Sequence, residues 1–256
     1  MCRRSSATRL AVYRILGFLI ISLVLTTEHF AATVPTKTPK KNGAKSLLAY
    51  VFDDRFSVVR SRPDVEAPFL RRLRVGHRVF LPLGGPPSRN VKYRRVVVSR
   101  KFSGWILAAA VVAPGLPGDD ERLFRHAASQ SREKAMIALK ILTTHFDRTP
   151  LHAAALLRLG QLAEEEAGQL SVEANRKLAR EERSLPEGLD EKELFANYRG
   201  LDRWASNGVR FIYHREKDRF VYHGEAYREI IRKFPGSPEA ASARGRLAGI
   251  EDALRN

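Results

Sequence analysis

The chain has 256 residues, 44% of them hydrophobic, which is enough apolar material for one or two packed cores and excludes a disordered protein. Its single cysteine, Cys2, precedes the first apolar run, so a chain cut after that run holds no thiol, no disulfide and no Cys-ligated zinc. The formal charge of +17 is uneven: residues 1–52 carry eight Lys/Arg against one acidic residue, residues 53–101 thirteen against four, and residues 102–256 twenty-four against twenty-three. The basic character therefore belongs to the front of the chain.

The N-terminal residues have the pattern of an export signal. Four arginines precede an uncharged run at 15–25, the order of charge and apolar residues that secretion machinery reads. A helix of that length rises about 16 Å, roughly half of a bilayer core of about 30 Å. We therefore expect residues 1–32 to be a signal peptide, with an uncleaved anchor or a cytosolic protein as alternatives. Residues 33–45 (TVPTKTPKKNGAK) predict a flexible basic tether.

The basic region that follows, residues 46–113, has the pattern of a small all-β barrel. Short β-branched clusters alternate with turn formers, among them Pro63-Asp64 and the glycines and prolines of 84–87. The predicted strands are 47–52, 57–60, 69–75, 78–83, 93–99 and a broken strand at 104–112.

Two segments of this region resemble the bacterial SH3 domain. SVVRSRPDVEAPFLRRLRVGHRVFLP (57–82) is similar to the opening of that domain, and YRRVVVSRKFSGWILAAAVV (93–112) is similar to its ending. The matching positions are Arg60, Pro63, Leu73, Gly76, Val79, Gly104 and Trp105, and the longer proline-rich loop at 84–89 departs from the family. The resemblance implies a module that binds cell-wall peptide or another protein, or one that only supports its neighbour.

The candidate contacts of this module are Tyr93, Arg94, Arg95 and Trp105. Trp105 and Tyr93 each have two interpretations, a core residue of the barrel or a platform for a ligand. Arginines between 71 and 78 are expected mostly to face water. If this face binds, export separates it from nucleic acid, so an anionic polymer or a lipid headgroup is the expected ligand, and salt should weaken the contact.

The second half of the chain predicts helices. Three acidic residues at 119–121 follow PGLPG and indicate a helix start; helices are predicted at 119–128, 131–146, 151–168, 171–184, 190–206, 224–234 and 238–254. Segments 138–159 and 226–247 are alike, each a helix ending in Phe, a turn with Thr-Pro or Ser-Pro, and an Ala-rich helix. The second copy, FPGSPEAASARGRL, resembles the tetratricopeptide-like repeats of envelope proteins such as outer-membrane assembly lipoproteins and the Tol-Pal coordinator. That resemblance implies a helical domain, 119–256, which holds a protein partner.

An inserted β-hairpin is predicted inside the helical region. VRFIYHREKDRFVYHG (209–224) alternates apolar and polar residues around Glu216-Lys217. If Tyr213 faces Phe220, then Phe211 faces Tyr222, and all four aromatic side chains share one face. That face either packs on the flanking helices or forms an exposed partner site.

The sequence lacks the motifs of an enzyme. It contains no H-E-x-x-H, no G-x-S-x-G and no Gly-rich phosphate loop, and Glu164-Glu165-Glu166 point in different directions on a helix. No metal or cofactor is expected, and membrane contact is expected only through an uncleaved N-terminal segment. The sequence thus predicts an α+β chain, an SH3-like barrel followed by a tetratricopeptide-like array. Its predicted function is that of an exported, non-enzymatic adaptor of the bacterial envelope, in the periplasm or at the cell surface. The alternative is a targeting or regulatory subunit of a cell-wall hydrolase.

Overall fold

Seven strands of the first half form one antiparallel sheet in the computed structural model, which describes residues 46–83, 92–181 and 185–255. The strands are β1 (Ser46–Val51), β2 (Val58–Arg60), β3 (Phe69–Arg72), β4 (Arg78–Pro82), β5 (Tyr93–Ser99), β6 (Phe102–Leu107) and β7 (Val111–Val112). Their order in the sheet is β3-β2-β6-β5-β4-β1-β7. The predicted leader and tether lie outside the described residues.

The predicted fold class, an SH3-like barrel followed by a tetratricopeptide-like array, is wrong. The protein has a seven-stranded antiparallel sheet followed by helices, which is an α+β arrangement without a small SH3 barrel. The predicted last strand is broken by a short 3-10 turn at Ala108–Ala110, and β7 beyond it pairs with β1. Local alternation of apolar residues is the same in a barrel and in a larger sheet, so the pattern could not distinguish between them.

One face of the sheet encloses its own apolar core. This core is formed by buried side chains of the strands and of the residues that directly adjoin them: Ala49, Val51, Val59, Leu73, Val79, Leu81, Val96, Ile106, Ala110, Val111 and Ala113. Gly104 lets β2 approach β6 closely, because a Cβ there would lie 2.5 Å from Cγ1 of Val59 and 2.7 Å from the carbonyl oxygen of Arg60. A side chain at this position would therefore force the two strands apart.

The helices are α1 (Asp119–Ala128), α2 (Arg132–His145), α3 (His152–Leu178), α4 (Glu191–Ala196), α5 (Asp202–Ala205), α6 (Glu225–Lys233) and α7 (Pro238–Arg255). Two predicted helices, 151–168 and 171–184, are one continuous helix, α3. Gly168 does not interrupt it, since a glycine inside a helix costs only about 1 kcal/mol relative to alanine and the buried face of α3 continues on both sides. Within the described residues, no helix has the length and apolar character needed to cross a membrane.

A second core joins the sheet to the helices. Tyr50, Phe52 and Val112 of the sheet region lie in one buried cluster with Leu139 and Leu156 of α2 and α3. Alternate residues of β1 thus belong to different cores, with Ala49 and Val51 in the first and Tyr50 in the second. The sheet and the helices therefore share buried surface.

The hairpin between α5 and α6 has the predicted register. Its strands are β8 (Phe211–His214) and β9 (Arg219–Tyr222), and Tyr213 lies opposite Phe220 while Phe211 lies opposite Tyr222. The turn passes through Asp218, which has a φ of 42°. The alternation of aromatic residues was sufficient to predict this pairing.

Candidate functional site

A row of aromatic and basic side chains crosses four strands on the outer face of the sheet. Trp105 of β6 lies opposite Arg60 of β2 on one side and opposite Arg95 of β5 on the other. Phe69 of β3 lies opposite Arg60, directly after a shift in register between Val59 and Arg60. Directly opposed residues in antiparallel strands project from the same face. The four residues, which we call the sheet row, therefore alternate aromatic, cation, aromatic, cation.

The sheet row is accessible to solvent. Phe69 is 61% exposed, Arg95 is exposed, and Trp105 and Arg60 are half-buried. Phe80, one strand beyond β5, adds another exposed aromatic ring on this face, at 44%. A large aromatic ring exposed on a strand is uncommon in the absence of a partner, whereas scattered single apolar residues are ordinary.

Arg60 has a defined orientation. Its Nη1 donates a hydrogen bond of 2.8 Å to the carbonyl oxygen of Ala67 in the turn between β2 and β3. The guanidinium group has five N–H donors, so this bond leaves others for an anion. The side chain of Arg95 makes no hydrogen bond or ion pair with another described residue.

The strands that carry the sheet row are rich in arginine, and Arg60 and Arg95 lie in the row itself. Within the described residues, none of the strand arginines forms an ion pair with a carboxylate, and the nearby Asp53 and Asp54 are already paired with Arg55 and Lys134. Burial first, and then the positive charges of Arg71 and Arg78, hold the pKa of His77 below its ordinary value. The uncompensated positive charge makes this face suited to an anionic ligand.

The structure brings together two of the four candidates predicted in this half of the chain. Trp105 and Arg95 lie opposite each other in the sheet row. Tyr93 is 6% exposed and is a buried residue, while Arg94 lies opposite the buried Ile106 on the other face of the sheet. Sequence reasoning missed Arg60 and Phe69 as site residues, because the pairing of β2 with β3 and β6 joins residues that are distant in sequence.

The aromatic side chains of the hairpin are used mainly in packing. Phe195 of α4 stacks on Tyr213 with ring centroids 4.7 Å apart, and Trp204 of α5 lies edge-on to Phe211. Phe220 and Tyr222 are 2% and 3% exposed. Phe211 and Tyr213 are half-buried, so this face is largely, though not fully, covered by its neighbours.

The hairpin also borders a groove of about 620 Å³ between α3, β9 and α7. Two of the lining residues, Glu164 and Arg246, form an ion pair of 3.2 Å across it, and the hydroxyl of Tyr227 donates a hydrogen bond to Glu164. Burial first, and then the bond to Glu164, raise the pKa of the Tyr227 hydroxyl above its ordinary value. The tyrosine is therefore a neutral hydrogen-bond donor, and the three groups hold α3, α6 and α7 together.

The buried carboxylate of Glu166 is also held in a structural contact. It accepts hydrogen bonds of 3.2 Å from Arg132 of α2 and from Arg203 of α5. Within the parts of the chain that the structure describes, no group of three or more His, Cys, Asp or Glu side chains could hold a metal ion. Comparison with protein families, with curated proteins and with solved structures gave no match to this chain.

Proposed function

We propose that the protein is a non-enzymatic adaptor of the bacterial cell envelope, in which the outer face of the sheet binds an anionic polymer and the helical half holds a protein partner. The observation that supports the first contact is the sheet row, in which two arginines without carboxylate partners alternate with two accessible aromatic rings. Placement in the envelope rests on the N-terminal sequence pattern.

The charge distribution supports an anionic ligand for the sheet. Residues 53–101 carry thirteen Lys/Arg and four acidic residues, whereas residues 102–256 carry twenty-four and twenty-three. Acidic and basic side chains of the helical half also form many ion pairs with each other. A polymer that approached the protein would therefore be attracted to the sheet rather than to the helices. The contact depends on released counterions and weakens as salt rises.

Supporting evidence for a partner on the helices comes from the groove between α3, β9 and α7. Gly168 and Gly249 line it, and a Cβ at either position would meet nothing within 4 Å. The groove thus has open space along two helices, and Glu164 and Arg246 give its lining two charged side chains, which pair with each other across it. An adaptor needs two such separate surfaces.

The experiment is a binding titration of the full chain with polygalacturonate at low and at high salt. Arg95→Gln should weaken binding at low salt by about three- to fivefold, since an exposed charge contact contributes up to about 1 kcal/mol. The control is Arg232→Gln, which removes the same charge from an exposed position on α6. Both variants keep the basic residues of 33–45, so any contribution of that segment is common to them.

Binding that is lost in high salt and is weakened only by Arg95→Gln would support the proposal. Equal effects of the two variants would mean that net charge, and not the sheet face, determines binding. Release of soluble fragments from purified murein sacculi by the chain alone would contradict the non-enzymatic assignment.

A further inference from the structure

We infer that the ligand of the sheet row is an anionic polysaccharide, in which sugar rings and acidic groups alternate, rather than a uniformly charged chain. This inference rests on the proposed function and adds the chemical class of the polymer. The observation behind it is the alternation itself: Phe69, Arg60, Trp105 and Arg95 follow one another across β3, β2, β6 and β5.

The spacing of the row suits a repeating ligand that lies across the strands. Neighbouring strands are about 4.8 Å apart, so the two aromatic rings are separated by about 9.6 Å at their backbones, with a guanidinium between them. The two arginines have the same separation. A polymer bound along this line meets an apolar surface and a cation in turn.

The aromatic residues favour a ring-bearing ligand. A sugar ring has an apolar C–H face that can pack flat against an aromatic side chain and remove both surfaces from water. Phe69 has 61% of its surface available for this contact, and Trp105 is half-buried between the two arginines. Phosphate groups alone would gain nothing from these rings.

The arginines favour acidic groups at intervals. A guanidinium presents planar donors that match a carboxylate or a phosphate in two parallel hydrogen bonds. The bond from Arg60 to the carbonyl oxygen of Ala67 holds that side chain in place before any ligand arrives, which lowers the entropy lost on binding. Arg95 is exposed and without a described partner, so it can adapt to the second acidic group.

Tryptophan fluorescence reports directly on this site. The chain has two tryptophans, and Trp204 is 1% exposed in the helical half, so a ligand on the sheet changes chiefly the emission of Trp105. The full chain is titrated at low salt with polygalacturonate, with inorganic polyphosphate at the same concentration of charge, with a neutral glucan, and with vesicles that contain an anionic lipid.

Polygalacturonate should bind at least about tenfold more tightly than polyphosphate and should alter the emission of Trp105. Phe69→Ser should weaken the polysaccharide about fivefold and leave polyphosphate unchanged, because only the sugar uses the ring. Arg95→Gln should weaken both polymers. Phe69 is largely exposed, so its substitution is expected to fold, and thermal unfolding checks this for each variant.

The results distinguish specificity for a polysaccharide from binding of any anionic polymer. If polyphosphate binds as tightly as polygalacturonate and Phe69→Ser changes neither, the polysaccharide inference is overturned while binding of an anionic polymer stands. If neither polymer binds, both fail. Tighter binding to anionic vesicles than to either polymer would also overturn the inference.

Discussion

Gly160 is a position in α3 where a single methyl group should destabilise the protein. A Cβ built there would lie 2.6 Å from Cζ of Tyr227 and closer still to Cε1. The Tyr227 ring cannot move away easily, since it is fully buried and its hydroxyl donates a hydrogen bond to Glu164. The ring of Tyr222 also packs edge-on against it, with ring centroids 6.0 Å apart. Gly160→Ala must therefore push α3 and α6 apart.

Two opposing effects determine the size of the change. Overpacking of a core costs about 1–3 kcal/mol, whereas alanine in place of glycine in a helix contributes up to about 1 kcal/mol of stability. We expect a net loss of about 1–2 kcal/mol, which for a domain of this size lowers Tm by about 2–8 °C. The measurement is thermal unfolding of the full chain followed by circular dichroism.

Gly168 provides a matched control on the same helix. Its Cβ would meet nothing within 4 Å, so Gly168→Ala should raise Tm by about 1–4 °C through helix propensity alone. In a Tyr227→Leu background the effect of Gly160→Ala should become neutral or favourable, because the ring that opposes the methyl group is gone. If Gly160→Ala raises Tm as Gly168→Ala does, the close packing of α3 on α6 is refuted.

Two further predictions concern acidity and the sheet. Burial holds the pKa of His126, His145 and His152 below the ordinary value of 6.5, so their neutral forms favour the folded state. The stability that these neutral histidines provide is complete above pH 6.5 and is lost as the pH falls below that value. Tm should therefore be lower at pH 5 than at pH 7.5, and His145→Gln should reduce this difference. A Tm that rises on acidification would contradict the prediction. Gly104→Ala should lower the free energy of unfolding by about 1–3 kcal/mol and weaken polygalacturonate binding, because it separates Arg60 from its neighbours in the sheet row. Unchanged affinity in that variant would show that the register of β2 and β6 does not matter for binding.

Local signals in the sequence were sufficient for several elements. The acidic residues at 119–121 marked the start of α1, and Pro238 marked the first residue of α7. The alternating aromatics of the hairpin gave its register. In each case the residues that define the element are neighbours in the chain, so a short segment of sequence is enough to predict it.

The pairing of strands that are distant in sequence could not be predicted in this way. Arg60 and Trp105 are 45 positions apart, and no local pattern indicates that β2 lies between β3 and β6. The break in the last strand was predicted, but no local pattern indicates that β7, beyond Ala108–Ala110, pairs with β1. For this reason Trp105 and Arg95 were predicted as candidates, while the arginine and the phenylalanine that complete the sheet row were not.

The side chains of β1 pack into two different cores, and this limits where the chain can be cut to make a fusion protein. A fusion joint placed at 114–118 would carry the strand into the new protein with Tyr50 and its neighbour Phe52 stripped of the helices that cover them. The excised sheet would then expose these hydrophobic side chains to water and would be prone to aggregate. Any transplant of the sheet should therefore include α1 to α3.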